Sequence, residues 1–300
     1  FGDFTQLILP SYAKNSEIGS PELPVLRQLI QVPHGADIDI EVLKIKEETI
    51  DLTKHGFNLP IFPLQPSISK GDNAQEAPFY YNESRYQIDS FGQEQYVSTE
   101  YLGKMRGQQL ARLNISPIKY NPLSNELKVV TSLEVRIVFK NSNITENSLE
   151  IQRYYSPEFQ NLYKKCINYL PPSSKDVITT YPVKYVIVSD PSFQTALQPL
   201  IEWKTKKGFI VVEAYTNDPN VGNTTASIHN FIKDLYINAS PTNPAPTYLL
   251  IVGDEAQVPS FNGITSSHLS DMYYCEFDGN GDFYPEMYYG RMSATNSGDV

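Results

Sequence analysis

Two short runs constrain this chain most: KYVIVS at Lys184–Ser189 and YLLIV at residues 248–252. A strand with one wet face alternates apolar and polar residues. An unbroken apolar run of this length marks a strand covered on both faces, the habit of parallel sheets flanked by helices. The intervening sequence supplies the helices. Asp190 followed by Pro191 makes an N-cap and first-turn pair, and Phe193, Leu197, Leu200 and Ile201 then recur on one helical face. Lys206, Lys207 and Gly208 suit the negative C-terminal end of that helix and its cap. A strand is expected over residues 209–214, and Ile228, Phe231, Ile232, Leu235 and Tyr236 mark a second amphipathic helix. Strand, helix, strand, helix, strand predicts a mainly parallel α/β sheet.

The grammar before about residue 160 differs. Leu133, Val135, Ile137 and Phe139 alternate with polar neighbours, as do Ile38, Ile40 and Val42. This period of two predicts strands with one buried face. Residues 114–120 form another extended run, and the turn formers at 121–125 predict a hairpin into the strand that follows. Prolines 21, 24, 33, 60, 63 and 66 punctuate short strands, and no helix is expected. The first half therefore reads as an all-β sandwich.

Composition narrows the function. A formal charge of −10 argues against nucleic acid, which needs a basic footprint. Twenty-one tyrosines suit a β-rich protein. No apolar run is long enough for a transmembrane helix. The chain opens at Phe1 in the middle of a pattern and without a signal peptide, so a processed or trimmed N-terminus is expected. Cys166 and Cys275 are far apart and read as free, buried thiols, although pairing is not excluded. Of the four histidines, His34 and His55 fall in loop-like stretches, His229 on a helix surface and His268 in a serine-rich loop. No G-x-S-x-G elbow, Walker loop, H-E-x-x-H or C-x-x-C is present, and no complete catalytic set is visible.

One loop invites chemistry. Residues 276–286 read EFDGNGDFYPE. Alternating oxygen-bearing side chains with glycines between them can curl around Ca²⁺, which takes six to eight oxygen ligands. They also make an ordinary solvated turn, since Gly reaches positive φ at no steric cost. Asp254, at the carboxyl end of the third apolar strand, could share such an ion or simply serve as a turn residue.

Several stretches, in order, carry a family likeness. GSPELPV (19–25), QPSISK (65–70), LGKMRG (102–107) and IKYNP (118–122) resemble the β-sandwich propeptide of gingipain-type cysteine peptidase precursors, above all their lysine-specific branch. ALQPLIEWK (196–204), VGD (252–254), SDMYY (270–274), YPEM (284–287) and RMS (291–293) resemble the first part of that family's caspase-like catalytic domain.

The resemblance implies an inhibitory, folding-assisting propeptide at 1–165, a linker at 166–180 and the start of the catalytic domain at 181–300. It implies that the catalytic Cys and His lie beyond Val300, so no catalytic residue is assigned here. The end of the chain then leaves an open sheet edge. It further implies Ca²⁺ held by Asp254, Asp278, the Asn280–Asp282 region, the Tyr284 carbonyl and Glu286. Lys70 would plug the specificity pocket, with Gly71 allowing close approach and Lys104 or Arg106 as rivals. Activation cleavage falls at Lys175-Asp176, with Lys164-Lys165 as the rival site. The expected whole is a zymogen exported across a bacterial outer membrane, secreted or surface-held, cutting protein or peptide substrates after Lys. A type IX secretion sortase and a non-catalytic calcium-stabilised extracellular binding module are the other readings.

Overall fold

The computed structural model describes residues 3–68, 71, 76–170, 182–240, 242–264, 268–279 and 282–300. These form two compact units, each discontinuous in sequence. The first comprises Phe1–Ile30, Asp37–Tyr101 and Ala111–Asn141, and the second Gln31–Ala36, Leu102–Leu110 and Ser142–Val300.

The first unit is built of antiparallel strands. Strands β1 (Ala13–Lys14) and β2 (Pro24–Val32) share a four-stranded sheet with β4 (Val97–Met105) and β5 (Gln108–Ile115), in the order β1-β2-β5-β4, although residues 31–32, 102–105 and 108–110 of these strands belong to the second unit. A second sheet has the order β3-β7-β6, from β3 (Asp37–Asp51), β7 (Glu126–Lys140) and β6 (Ile118–Asn121). A single helical turn, α1 (Glu83–Tyr86), buries Tyr86, whose hydroxyl donates to the Ile61 carbonyl at 2.7 Å. The expected hairpin is present: β6 pairs β7 from Ile118↔Val129 to Asn121↔Glu126, and Asn125 in the connection takes φ 52°. Ile118, Tyr120 and Leu127 point into a core with Leu52 and Ile61.

Strands β3 and β7 run far beyond β6 as a two-stranded ribbon, from Asp37↔Lys140 to Asp51↔Glu126. Among the described residues its outer part has no third strand, and the alternating face of Leu133, Val135, Ile137 and Phe139 is only half-buried. Cross-strand ion pairs (Asp39 with Lys140, Glu41 with Arg136, Glu134 with Lys44) line the ribbon and favour its register.

The second unit carries the parallel sheet, in the order β13-β10-β8-β9. Strands β8 (Lys184–Ser189), β9 (Ile210–Tyr215), β10 (Pro246–Val252) and β13 (Tyr288–Met292) pair in parallel throughout. The connecting helices are α4 (Gln194–Lys206), after a 3-10 turn at Pro191–Phe193, and α5 (Thr225–Ile237). Asp190 caps the first as expected, accepting the Ser192 N–H at 2.9 Å. One face of the sheet buries Val186, Val188, Leu249 and Ile251 against Ile228 and Ile232 of α5. The other buries Ile187 and Val252 against Phe193 of the 3-10 turn and Leu197 and Ile201 of α4. Burial on both faces explains the unbroken apolar runs. Strands β11 (Phe261–Asn262) and β12 (Leu269–Ser270) form a small ribbon beyond β10.

The expectation of no helix before residue 160 is corrected by α2 (Ile144–Tyr154). Asn143 caps it, accepting the Glu146 N–H at 3.0 Å, and the N-x-x-E spacing was the available signal. Its apolar residues gave no stripe to read: Ile144 and Leu149 are 71% and 56% exposed, and only Tyr154 is buried. A short helix, α3 (Gln160–Tyr163), follows. Both belong to the second unit rather than to the β unit.

Ile251 is fully buried in the central strand β10. Ile251→Ala should cost about 2–5 kcal/mol, read as a lower urea midpoint at unchanged denaturant slope. A cost below about 1 kcal/mol would mean that this core is not packed as described.

Candidate functional site

The site grows from a hairpin and a loop within the second unit. Strands β4 and β5 are joined by Arg106 and Gly107, which take φ 48° and 75°. Positive φ at both central residues is what a two-residue type I′ turn requires. Gly107 suits its place doubly, because a Cβ there would lie 3.0 Å from the Glu150 carbonyl oxygen. Arg106 is an unusual choice for left-handed backbone. Its side chain accounts for its position. It is 1% exposed, with Nε donating to the Tyr154 carbonyl at 2.8 Å and Nη1 donating to the carbonyls of Pro246 at 2.6 Å and Glu286 at 2.8 Å. The guanidinium also lies over the rings of Phe159 and Tyr236, 5.1 and 5.7 Å from their centroids.

Facing it is the acidic loop. Helix α5 holds its start: His229 Nε2 meets the Glu276 carbonyl at 2.9 Å and Lys233 donates to the Phe277 carbonyl at 3.2 Å. His229 is thus half-buried rather than a surface residue, and rests beside Phe277. Glu286 is 1% exposed. Its Oε2 accepts the Arg106 backbone N–H and the Tyr236 hydroxyl, the latter at 2.6 Å, while Oε1 is buried without a hydrogen-bond partner. Burial pushes the Glu286 carboxyl well above the usual carboxylate range, and the Asp278 carboxyl beside it pushes the same way.

Asp282 Oδ1 accepts the Tyr284 N–H at 2.9 Å and Oδ2 accepts the Lys104 N–H at 2.8 Å. Burial raises its pKa too. The Lys104 ammonium lies 2.7 Å from Glu150 and 3.8 Å from Asp278. Burial alone would lower its pKa. The hydrogen bond to Glu150 and the charges of Asp278, Glu150 and Glu286 outweigh that and hold it above the ordinary lysine value.

The expected calcium residues therefore divide. Asp278, Asp282 and Glu286 share one acidic cluster. Asp254 is exposed at the end of β10, where its N–H donates to Ala294 and its carbonyl accepts from Gln257 and Val258 in a turn. Tyr284 enters through its N–H, and Asn280 lies outside the described residues. The orphaned Glu286 Oε1 is the kind of hard oxygen donor that Ca²⁺ takes. Yet no group of three or more His, Cys, Asp or Glu side chains forms a ready metal cage among the described residues. Lys70, Lys175 and Asp176 also lie outside them. The rivals Lys104 and Arg106 are the basic residues found at the cluster. Sequence reasoning missed their partners Glu150, Tyr154 and Tyr236, which come from helices distant in sequence. The nearest signal was a pair of basic residues beside a glycine in an acidic chain.

Both cysteines are free and buried. Burial pushes the Cys166 thiol up to about 11 and the Cys275 thiol well above its usual value. Cys275 ends a 3-10 turn (Met272–Cys275) and packs in the core.

Comparison with known proteins places this arrangement. Residues 2–164 match the family Propeptide_C25 and residues 178–300 match Peptidase family C25. Over 98% of its length the chain is 34% identical to Lys-gingipain of Porphyromonas gingivalis, and over 95% it is 26% identical to Gingipain R2 of that organism. The matches span 17% and 37% of those relatives. A solved structure described as bearing on the zymogenic latency of gingipain K from Porphyromonas gingivalis is 36% identical over 44% of this chain and 72% of its own, with a TM-score of 0.42. The chain is a C25-family peptidase precursor segment: a propeptide followed by the beginning of the peptidase region.

Two outcomes follow from the site. Tyr236→Phe removes one of the two donors to Glu286 Oε2 and should lower stability by about 1–3 kcal/mol in urea unfolding. No change would mean that this hydroxyl does not satisfy the carboxylate. With a pKa near 11, only about one Cys166 thiol in a thousand is ionised at pH 8. The native protein should therefore react with a thiol reagent only on unfolding, and a rapid stoichiometric reaction would contradict the burial of both cysteines.

Proposed function

We propose that this chain is the N-terminal part of a cysteine endopeptidase zymogen whose propeptide inhibits the enzyme, assists its folding and is removed by cleavage. The observation that carries the reading is the ordered match of propeptide and peptidase families along one chain, with 34% identity to Lys-gingipain over 98% of it. In such an enzyme a Cys thiolate attacks the scissile carbonyl while a nearby His handles the proton. Neither Cys166 nor Cys275 suits that role, since a nucleophile must be accessible and readily ionised. We assign the Cys/His pair to the length of the relatives that these residues do not cover.

Specificity for Lys, inhibition by Lys70, cleavage at Lys175-Asp176 and export to the cell surface or medium belong to the same reading, supported by the relationship to the lysine-directed relative. Ca²⁺ belongs to it as well. The support is the acidic cluster of Asp278, Asp282 and Glu286 with its one unpartnered, buried oxygen, and when bound the ion would hold this loop in place and neutralise the cluster.

The test uses the full-length gene product, matured in the presence of Ca²⁺ and assayed on Lys- and Arg-peptide substrates with and without added residues 1–175. Lys-directed cleavage suppressed by that fragment is the expected result, and Lys70→Ala in the fragment should weaken inhibition by about tenfold or more, ~1.4 kcal/mol. Joining of peptides instead of hydrolysis would indicate the sortase reading. No turnover under any maturation condition would indicate the binding module. N-terminal sequencing of the matured protein reads the cleavage site, with Asp176 expected first.

A further inference from the structure

The first unit contains a cavity of about 260 Å³ whose lining residues all belong to that unit. One wall is the loop over residues 15–25. Asn15 holds this loop closed, donating from Nδ2 to the Pro21 carbonyl at 3.0 Å and accepting the Leu23 N–H at 3.1 Å. Gly19, at φ 83°, lets the loop lie close against Asn82, whose backbone nitrogen would stand 3.0 Å from a Cβ at that position. A second wall runs from Arg85 and Ile88 to Phe91 and Glu94, and β6 supplies Ile118 and Tyr120. The Arg85 guanidinium joins the two walls, 2.9 Å from Glu17 and 2.8 Å from Glu94.

Small-molecule sites are concave and mostly apolar, with a few polar groups that fix orientation. Leu23, Val25, Ile88, Phe91 and Ile118 give this cavity its apolar body. Its lining also holds a buried polar group with nothing to bond: Ser20 is 2% exposed, and its Oγ has no hydrogen-bond partner among the described residues. A buried hydroxyl left in that state is costly, and an occupant's own polar group would recover the loss. The Tyr120 hydroxyl, by contrast, is engaged with Asn125 Oδ1 at 2.8 Å. The charges of the lining balance, Arg85 and Lys119 against Glu17 and Glu94, so neither an anionic nor a cationic ligand is favoured. Size narrows the occupant further. An apolar cavity of about 150 Å³ takes benzene, so this one has room for a ring with a substituent. Ser20 Oγ selects a hydroxyl, which both donates and accepts as serine does.

We propose that this cavity is a binding site for a small, neutral, amphipathic molecule, a hydroxyl-bearing ring the size of a substituted phenol, with its hydroxyl on Ser20 Oγ and its ring among Leu23, Ile88 and Phe91. The inference goes beyond the peptidase reading and does not depend on it, although the cavity falls within the Propeptide_C25 match. The ion pairs of Arg85 with Glu17 and Glu94 are partly exposed, and such pairs are weak in water, so they open at little cost to admit the ligand. Once bound, the ligand ties residues 15–25 to residues 85–94 more firmly than those pairs do alone.

The test uses the full chain with 4-methylphenol as the probe, and toluene and 4-methylbenzoate as its hydroxyl-free and charged counterparts. Affinity is measured by calorimetry, and the site is located by NMR shifts of the backbone amides at residues 15–25 and 85–94. Ser20→Ala removes the hydroxyl, and Ile88→Trp fills the cavity. Melting temperatures establish that each variant is folded, and Ser20→Ala carries the test if Ile88→Trp does not fold. We expect 4-methylphenol to bind with a Kd of about 1 mM or below and 4-methylbenzoate about tenfold or more weakly. Ser20→Ala should weaken 4-methylphenol about fivefold while leaving toluene unchanged, and Ile88→Trp should abolish binding of both. No shift at those amides up to about 10 mM probe would overturn the proposal, as would binding that survives Ile88→Trp. Equal affinity for 4-methylbenzoate would overturn the neutral class of ligand. An equal response of 4-methylphenol and toluene to Ser20→Ala would overturn the role of the hydroxyl, leaving an apolar cavity with a water on Ser20.

Discussion

A buried guanidinium constrains the second unit more than any other group. Taking an arginine and a carboxylate out of water costs several kcal/mol per ion, and that cost is offset only where geometry and additional hydrogen bonds satisfy both. Arg106 meets most of the demand by gathering partners from three places, with only Nη2 left buried and without a hydrogen-bond partner. It reaches the end of α2 at Tyr154, the start of β10 at Pro246, and the Glu286 backbone and carboxylate just before β13. Each is a carbonyl or carboxylate near the end of a regular element, where acceptors are not consumed by helix or ladder. Tyr236 completes the arrangement, donating to Glu286, stacking on Tyr154 at 4.4 Å and offering its face to the guanidinium. The turn at Arg106-Gly107 is therefore fixed from both directions: the chain must reverse within two residues, and the side chain of the first must reach the carbonyls of Tyr154, Pro246 and Glu286.

What could be read from the sequence followed from local repetition. KYVIVS and YLLIV announced strands covered on both faces because their apolar residues run on without alternation, whichever way each points. The helix with Ile228, Ile232 and Tyr236 showed itself because those residues repeat at helical spacing on the face it buries. The hairpin of β6 and β7 was visible for the corresponding reason at a period of two. Helix α2 was not, since it presents little more than Tyr154 to the interior and is held by its cap and by its neighbours. The long β3–β7 ribbon was read as having a buried face because alternation does not reveal whether a third strand is present to cover it.

The acidic loop shows where this way of reading stops. The spacing of Asp278, Asp282 and Glu286 in EFDGNGDFYPE is compatible with a curled oxygen cluster, and the structure does bring those three together. Spacing along the chain cannot say what faces the cluster from elsewhere. Here the facing groups are Lys104, some 170 residues earlier, and Glu150 and Tyr236 on separate helices. Asp254 illustrates the converse. Its place at the end of a parallel strand marked it as a ligand candidate, and that place is also where the chain must turn, which its carbonyl does by accepting from Gln257 and Val258.

The family boundary and the compact units divide the chain differently, and the buried ions give the difference a consequence. Residues 31–36, 102–110 and 142–164 lie within the Propeptide_C25 match yet belong to the unit that contains the whole Peptidase family C25 match. Within that unit, residues from the propeptide side supply the cation, the helix end and the ring faces that surround Glu286. A peptidase segment folding without them would bury Glu286 with the Tyr236 hydroxyl but without the Arg106 N–H on its carboxylate or the guanidinium on its carbonyl. Leaving a buried charge without its partner costs about 3–5 kcal/mol, a large share of the stability of an ordinary domain. Burial of the Glu286 carboxylate is thereby tied to residues of the propeptide match, through the Arg106 N–H on its Oε2 and the Arg106 guanidinium on its carbonyl.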